Sequence, residues 1–296
     1  MHETQALRGI IPPLLSTFTE DDRIDAQLYR REVRHLLDAG VHGLCVGGSL
    51  GEGAALSDAE LAQLVHTARE ANSVGVPVIA GVARCSTKAA LETARQARAA
   101  GADALMVTPT FYNILTPDAE GNRLFFRTIA EEVGLPLIVY NVIPQNEISC
   151  DLFGELLDIE NVIGIKQNLG GPPAIFEMCA AHGERAAVFA ANDEMLHSCF
   201  ALGAAGAISS LLTLFPHLAI RLWDLTQAGR HAEALALQNR LLPVWKVVRG
   251  PQFPSRMKAA AGLLGRDCGF PRSPLRAVSD RTVAALEAAL KTVTDA

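Results

Sequence analysis

The chain has 296 residues, of which 49% are hydrophobic and 20% charged, a composition that is typical of a folded globular protein and excludes a mainly disordered one. Its 32 acidic and 26 basic residues give a formal net charge of −6, which disfavours a nucleic-acid partner because such partners select a basic surface. No apolar run reaches the roughly 18–20 residues that a membrane-spanning helix needs, so we expect no membrane partner.

Short apolar runs alternate with longer helical patterns along the first two thirds of the chain. Eight runs are predicted strands, since they are continuously apolar, as in strands covered on both faces: residues 9–14, 43–46, 76–81, 104–107, 135–140, 162–165, 187–190 and 206–209. Helical patterns lie between them, among them residues 26–39, 58–71 and 88–100. Ser57 and Glu60 form a predicted capping box at the start of the second.

Strands that recur every ~20–35 residues with helical crossovers favour a parallel sheet. Eight such units in one chain predict an α/β fold of the (β/α)8 TIM-barrel type rather than an open doubly wound sheet. Four further helical patterns follow, at residues 216–228, 231–248, 255–264 and 279–293. We therefore predict a barrel over residues 1–220 and, over 221–296, an appended C-terminal helical segment that supplies the last barrel helix and an extension.

Cysteine and histidine spacing indicates neither a disulfide scaffold nor a metal site. The six cysteines form no C-x-x-C pair, which is typical of buried thiols in a reducing compartment. The eight histidines show no HExxH spacing. We expect a cytoplasmic protein that needs no metal and no cofactor, and the polar residues 1–9 are not expected to act as a signal peptide.

The active site of a TIM barrel lies at the carboxyl ends of its strands, and Lys166 directly follows the apolar run 162–165. Burial disfavours a charged ammonium, and a neutral amine attacks a ketone to form a Schiff base. A lysine that reaches solvent or pairs with a carboxylate gives the same pattern, so the residue alone leaves both interpretations open.

Tyr140 and Ser49 end or follow two other predicted strands. A phenol near Lys166 would pass protons to and from an imine, although a packed rim aromatic fits the pattern equally well. Ser49 lies in a glycine-rich turn, residues 47–53, whose amides and hydroxyl are suited to a carboxylate; a simple tight turn is the alternative. The turn also matches the G-x-S-x-G nucleophile elbow, but a serine hydrolase leaves Lys166 without a role.

In this order and spacing, four motifs resemble the dihydrodipicolinate synthase / N-acetylneuraminate lyase family, which are pyruvate-type class I aldolases and lyases on a TIM barrel. The motifs are Gly48-Ser49-Leu50-Gly51-Glu52, Thr108-Pro109 through Tyr112, Tyr140-Asn141-Val142 and Gly164-Ile165-Lys166. The resemblance implies that Lys166 forms a Schiff base with a 2-oxo acid and that Tyr140 transfers protons. It also implies that Ser49 and the amides of its loop, including Gly48, bind the keto-acid carboxylate.

Further roles are implied by the same resemblance. Tyr112 matches a tyrosine that the family lends across a subunit interface, so a homo-oligomer is expected, a tetramer built as a dimer of dimers. Ile208 matches a position whose backbone carbonyl faces the site. Leu50 stands where the family has a second loop hydroxyl, so we expect it to form an apolar wall of the substrate site. Thr110 is an apparent one-residue insertion before Tyr112.

The substrate class follows from what the chain lacks relative to the family. The synthase has an arginine shortly after the Tyr-Asn-Val motif, which grips the carboxylate of its aldehyde substrate; here Gln145 and Asn146 follow instead, and neither replaces a bidentate cation. We expect a 2-keto-3-deoxy sugar-acid aldolase or dehydratase, provided that Arg84 does not reach the site. Dihydrodipicolinate synthase and a non-catalytic keto-acid-binding barrel stay open as alternatives.

Overall fold

The computed structural model describes residues 7–294 and contains one sheet of eight parallel strands. Their order in the sheet is β1-β8-β7-β6-β5-β4-β3-β2, so the strands from β2 to β8 each lie beside the next one in the chain, and β1 pairs with β8. The architecture is therefore a TIM-barrel-like α/β fold, as predicted. The strands are β1 Gly9–Ile10, β2 Leu44–Val46, β3 Val78–Val82, β4 Ala104–Val107, β5 Leu137–Asn141, β6 Val162–Gln167, β7 Ala187–Ala190 and β8 Gly206–Ala207.

Backbone hydrogen bonds also link the two ends of this strand order. The Cys45 N–H of β2 donates to the Pro12 carbonyl at 3.0 Å, and the Leu14 N–H donates to the Cys45 carbonyl at 2.8 Å. The predicted first strand, residues 9–14, was too long. Pro12 and Pro13 have no N–H to donate, so the regular ladder stops at the end of β1 and pairing continues only as isolated bonds.

Helices cover the outer side of the sheet and form the C-terminal part. The predicted helix at residues 58–71 is confirmed with its capping box: the Glu60 N–H donates to Ser57 Oγ at 3.2 Å, and the Ser57 N–H donates to Glu60 Oε2 at 2.8 Å. The helices are α1 Ala26–Asp38, α2 Asp58–Ala71, α3 Thr87–Ala99, α4 Ala119–Val133, α5 Cys150–Leu156, α6 Gly171–His182, α7 Leu196–Ala201, α8 Leu211–Leu214, α9 Pro216–Gln227, α10 His231–Val248, α11 Phe253–Leu263 and α12 Asp280–Thr294.

Three groups of buried side chains hold these elements together. The largest fills the space between the sheet and its helices, and a second, the inner cluster, joins side chains of successive strands and contains Tyr140, Phe189 and Ile208. The third, the C-terminal cluster, packs residues of α8, α10, α11 and α12 against Leu15 and Leu50. The loop after β2 is therefore in contact with the C-terminal helices.

The predicted division of the chain into a barrel and a C-terminal segment at residue 220 stays a prediction. That residue lies within α9.

No helix within residues 7–294 combines the length and the hydropathy that crossing a membrane requires.

The loop after β2 lies directly against β3, and a glycine makes this approach possible. A Cβ added to Gly81 of β3 would lie 2.4 Å from the carbonyl oxygen of Gly47, a distance that no side chain tolerates. Since the Gly47 oxygen is a backbone atom and the backbone of β3 fixes where the Cβ would lie, neither moves without shifting the sheet or the loop. Gly262 in α11 offers the opposite case, because a Cβ there meets no atom within 4 Å.

Replacing Gly81 by alanine is expected to lower the free energy of unfolding by about 1–3 kcal/mol, the usual cost of overpacking. Gly262→Ala is the matched control: it should raise that free energy by up to about 1 kcal/mol, because alanine is the better helix former. Urea denaturation at one protein concentration measures both. A Gly81→Ala variant as stable as the wild type would contradict the close approach.

Candidate active site

Lys166 and Tyr140 lie side by side on β6 and β5, where they are direct partners in the strand register. The Nζ of Lys166 is 3.8 Å from the centroid of the Tyr140 ring, and the two residues are only 4% and 5% exposed. The predicted strand 162–165 was too short: β6 runs to Gln167, so Lys166 lies within it. Within residues 7–294, no carboxylate forms an ion pair with this lysine, so the second interpretation left open by the sequence, a lysine held by a carboxylate, does not apply there.

Ser49 is brought to Tyr140 by the loop after β2. Its Oγ is 3.2 Å from the Tyr140 hydroxyl oxygen, and either group could donate the hydrogen bond. Ser16 Oγ donates to the Gly51 carbonyl at 2.6 Å, and the Gly53 N–H donates to the Gly48 carbonyl at 3.1 Å. These bonds hold the loop in the conformation that brings Ser49 to Tyr140. The three side chains predicted to act together form one continuous chain of contacts, from Ser49 to the Tyr140 hydroxyl and from the Tyr140 ring to Lys166.

A cavity of about 300 Å³ lies beside this chain of contacts. One wall contains Ser49 and Tyr140 together with the loop after β2 and the ends of β3 and β4, and the other contains Pro254 and the segment 272–275. Lys166 is not part of the wall. Tyr140 therefore connects the two, because it lines the cavity and its ring lies against the Lys166 amine.

The cavity wall includes two charged side chains, Glu52 and Arg272, and both are engaged elsewhere. The Arg272 guanidinium donates to both carboxylate oxygens of Glu60, at 2.8 and 2.6 Å, and to Asp22 at 3.0 Å. These hydrogen bonds raise the pKa of Arg272 and lower the pKa of Glu60 to about 2. Arg272 is thus held by two carboxylates and is not free to bind an anion.

Arg84, the other arginine that the sequence left in question, is also engaged. Its guanidinium donates to Asp58 Oδ1 and to the Leu56 carbonyl, both at 2.9 Å, and it is absent from the cavity wall. The side chain therefore fastens the loop after β3 to the start of α2. Neither arginine offers the bidentate clamp that a second substrate carboxylate would need.

Of the remaining predicted site residues, two lie at the cavity or beside Tyr140 and two lie away from it. Gly48 lines the cavity, and Ile208 is fully buried with Tyr140 in the inner cluster. Leu50, expected to form an apolar wall beside the substrate, is instead 2% exposed within the C-terminal cluster, because its loop packs under the C-terminal helices. Tyr112 is 55% exposed on the loop after β4 and does not reach the cavity.

Two amides expected near the substrate hold a neighbouring loop instead. Asn146 is buried; its Nδ2 donates to the carbonyl and to the Oγ1 of Thr110, both at 3.1 Å, and its Oδ1 accepts from Asn122 at 2.8 Å. Gln145 Nε2 donates to the Phe111 carbonyl at 2.8 Å. The loop after β5 is thus hydrogen-bonded at Thr110 and at Phe111 to the loop that carries Tyr112. The buried bonds are those to Thr110, the apparent insertion.

Sequence reasoning missed two polar residues near the carboxyl end of β7. Asp193 is fully buried and accepts from the backbone N–H groups of Ser210 and Leu211, and burial raises its pKa to about 6. Asn192 donates to the Asn168 carbonyl at 3.2 Å, while its Oδ1 is buried with no partner in the described part of the chain. The signal was available, because both follow an apolar run at the edge where the site was expected.

Comparison with known proteins identifies the fold and its chemistry. The model of the dihydrodipicolinate synthetase family matches residues 6–293. The chain belongs to this family. It is 33% identical to the 4-hydroxy-tetrahydrodipicolinate synthase of Rhizobium meliloti over 96% of this chain and 97% of that one. The family members are class I aldolases and lyases, and this protein is accordingly an enzyme of that class.

Solved structures agree with this assignment. Dihydrodipicolinate synthase of Aquifex aeolicus matches with a TM-score of 0.90 and 27% identity, over 97% of this chain and 98% of that one. CdNal of Clostridium difficile, solved in complex with mannosamine, matches with a TM-score of 0.88 and 28% identity, over 96% and 98%. Among residues 7–294, no group of three or more potential ligand side chains is placed to hold a metal ion.

Replacing Asn146 by alanine is expected to lower the free energy of unfolding by about 1–3 kcal/mol, because it leaves buried groups of Thr110 and Asn122 without partners. Gln145→Ala, which removes one exposed hydrogen bond from the same turn, should change it by less than about 0.5 kcal/mol. Thermal or urea unfolding compares the two variants. Equal effects at both positions would mean that the buried network does not hold the Tyr112 loop.

Proposed function

We propose that Lys166 forms a Schiff base with a 2-oxo acid and that the enzyme cleaves or dehydrates a 2-keto-3-deoxy sugar acid. The supporting observation is a buried lysine that pairs with no carboxylate among residues 7–294 and lies in contact with a tyrosine that is itself hydrogen-bonded to Ser49. The amine adds to the C2 carbonyl and water leaves, which gives an imine. Protonated, that imine accepts electrons from C3 and acts as the electron sink for the next step.

Tyr140 is the proposed acid–base group of that next step. In aldol cleavage the C4 hydroxyl gives its proton to the phenolate while the C3–C4 bond breaks, and the aldehyde leaves with the enamine still on Lys166; the phenol then returns that proton to C3, which turns the enamine back into an imine. In dehydration the phenolate takes a proton from C3 and returns it to the C4 hydroxyl, which departs as water and leaves an unsaturated imine. Water then hydrolyses the imine and frees the lysine. The Ser49 contact orients the phenol for either route.

The proposed binding site for the keto-acid carboxylate is the loop after β2. The Ser49 hydroxyl and those backbone amides that the turn does not use for its own hydrogen bonds are neutral donors at one wall of the cavity, beside Tyr140. Such nests of N–H groups favour anions. We also infer that the hydrogen bonds between Cys45 and the segment after β1 close the sheet into a full (β/α)8 barrel, which would bring Ser49 to the same rim as Lys166.

The proposed role of Tyr112 depends on a second copy of the chain. The side chain is 55% exposed and lies off the cavity wall, as expected for a residue that completes a neighbouring site. The homotetramer and the cytoplasmic location stay predictions from the resemblance and from the cysteine pattern.

A neutral, hydroxylated second half of the substrate fits the charges of the cavity. Its two charged side chains are paired within the protein, so a second carboxylate would be buried without a cation, which is costly. These charges favour a sugar-acid tail over an acidic aldehyde.

The second candidate is 4-hydroxy-tetrahydrodipicolinate synthase. It is favoured by the names of the relatives, several of which carry that activity at 31–33% identity. It requires a cation for the carboxylate of aspartate semialdehyde, which the described residues of the cavity wall do not leave free.

Incubation with pyruvate and borohydride should leave a reduced adduct on Lys166 of the wild type, and none on Lys166→Ala, since Lys258, the other buried lysine within residues 7–294, is paired with Glu52 and does not line the cavity. Tyr140→Phe is the matched control: it should still form the adduct but turn over its substrate about 10²–10⁴-fold more slowly. Peptide mass spectrometry locates the modification. An adduct on another lysine, or none on the wild type, would contradict the Schiff-base proposal.

A panel of 2-keto-3-deoxy sugar acids and the pair pyruvate plus aspartate semialdehyde separates the two candidate functions. We expect measurable turnover of a sugar acid and poor turnover of aspartate semialdehyde, because the cavity offers no free cation. Steady-state kinetics provides the comparison. A kcat/KM for aspartate semialdehyde of about 10⁴ M⁻¹s⁻¹ or more, which is typical of a dedicated enzyme, would favour the synthase.

A further inference from the structure

A buried ion pair connects the loop after β2, which carries Ser49, to the C-terminal part of the chain. Lys258 of α11 donates from its Nζ to Glu52 Oε1 at 2.7 Å, and both side chains are 4% exposed. The second carboxylate oxygen, Oε2, accepts the backbone N–H of Arg272 at 2.9 Å. Glu52 therefore receives a hydrogen bond at each oxygen, from α11 and from the segment that forms the far wall of the cavity.

The ammonium of Lys258 has further partners besides Glu52. Its Nζ also donates to the Phe270 carbonyl at 2.6 Å and lies 4.8 Å from the ring centroid of Phe18. Burial lowers the pKa of Lys258, and the adjacent Glu52 carboxylate opposes that shift. The ammonium is thus held by one carboxylate, one carbonyl and one ring, all within the protein.

The backbone at Glu52 needs this support. Its φ is 55°, in the left-handed region that a residue with a side chain occupies only when its surroundings compel it. The Glu52 N–H donates to the Ser49 carbonyl at 3.1 Å, so the turn that places Ser49 closes at this residue. Relaxation of Glu52 would change the position of Ser49, three residues earlier in the same turn.

We propose that Glu52 and Lys258 are positioning residues: their buried pair sets the place of Ser49 beside Tyr140 and joins the two walls of the cavity. The inference rests on the proposed role of Ser49 in binding the 2-oxo acid. It makes the C-terminal helices part of the binding apparatus, although none of their described side chains forms a hydrogen bond or an ion pair with Lys166. Loss of the pair should weaken 2-oxo acid binding beyond any effect on folding.

The test compares Lys258→Met with the double variant Glu52→Gln/Lys258→Met. The single variant leaves a buried carboxylate unpaired, so it should lose both stability and pyruvate binding. The double variant leaves no unpaired charge and keeps an acceptor for the Arg272 N–H, so its melting temperature should return toward that of the wild type. Its half-saturating pyruvate concentration in borohydride trapping should stay about 10- to 100-fold raised, the scale of loss for a misplaced binding group.

The matched control is Glu32→Gln. Glu32 pairs with Arg266 at 2.6 Å, is likewise buried, and ties α1 to the segment after α11, but neither residue lines the cavity. It should lower the melting temperature and leave the half-saturating pyruvate concentration unchanged. A double variant that regains both stability and pyruvate binding would show that the Glu52–Lys258 pair only stabilises the fold. Absence of an adduct on the wild type would instead overturn the proposed function, and this inference with it.

Discussion

The parallel register between β5 and β6 is the constraint on which the site depends. It pairs Tyr140 with Lys166 at the same level of the sheet, so both side chains are buried together and the amine meets the face of a phenol ring. A shift of one residue in either strand would turn one of these side chains toward the covering helices. Burial on both sides of the sheet strongly specifies this register, because the apolar neighbours Ile138, Val139 and Ile165 would be displaced with it.

The loop after β2 depends on three separate pieces of chain, although it is only seven residues long. Gly81 lets it lie on β3, Ser16 binds the carbonyl of Gly51, and Glu52 connects it to α11 and to Arg272. Each contact comes from a different part of the sequence. A serine that must meet a phenol oxygen at 3.2 Å therefore has its position set by the packing of the whole C-terminal part of the chain as well as by its own turn.

Local sequence patterns were sufficient for the elements and for the pair at the centre of the site. Apolar runs and caps predicted the eight strands and the capping box at Ser57, because these depend on neighbours within a few residues. Strand ends were less accurate, since Pro12 and Pro13 interrupt pairing in one strand and Lys166 and Gln167 extend another. The direction of the Leu50 side chain and the hydrogen bonds of the Asn146 side-chain amide depend on contacts with distant residues, which no local pattern encodes.

The distribution of buried charge explains why Lys166 is singled out. Lys258 lies against Glu52, Arg266 against Glu32, and the largely buried Arg272 against Glu60 and Asp22. Of the two lysines that are buried within residues 7–294, Lys166 is the one without such a carboxylate. An ion pair at Lys166 would occupy the amine, and Lys258 shows that this fold can bury such a pair. Lys166 instead faces a neutral ring, which is the arrangement on which the proposed addition to a ketone depends.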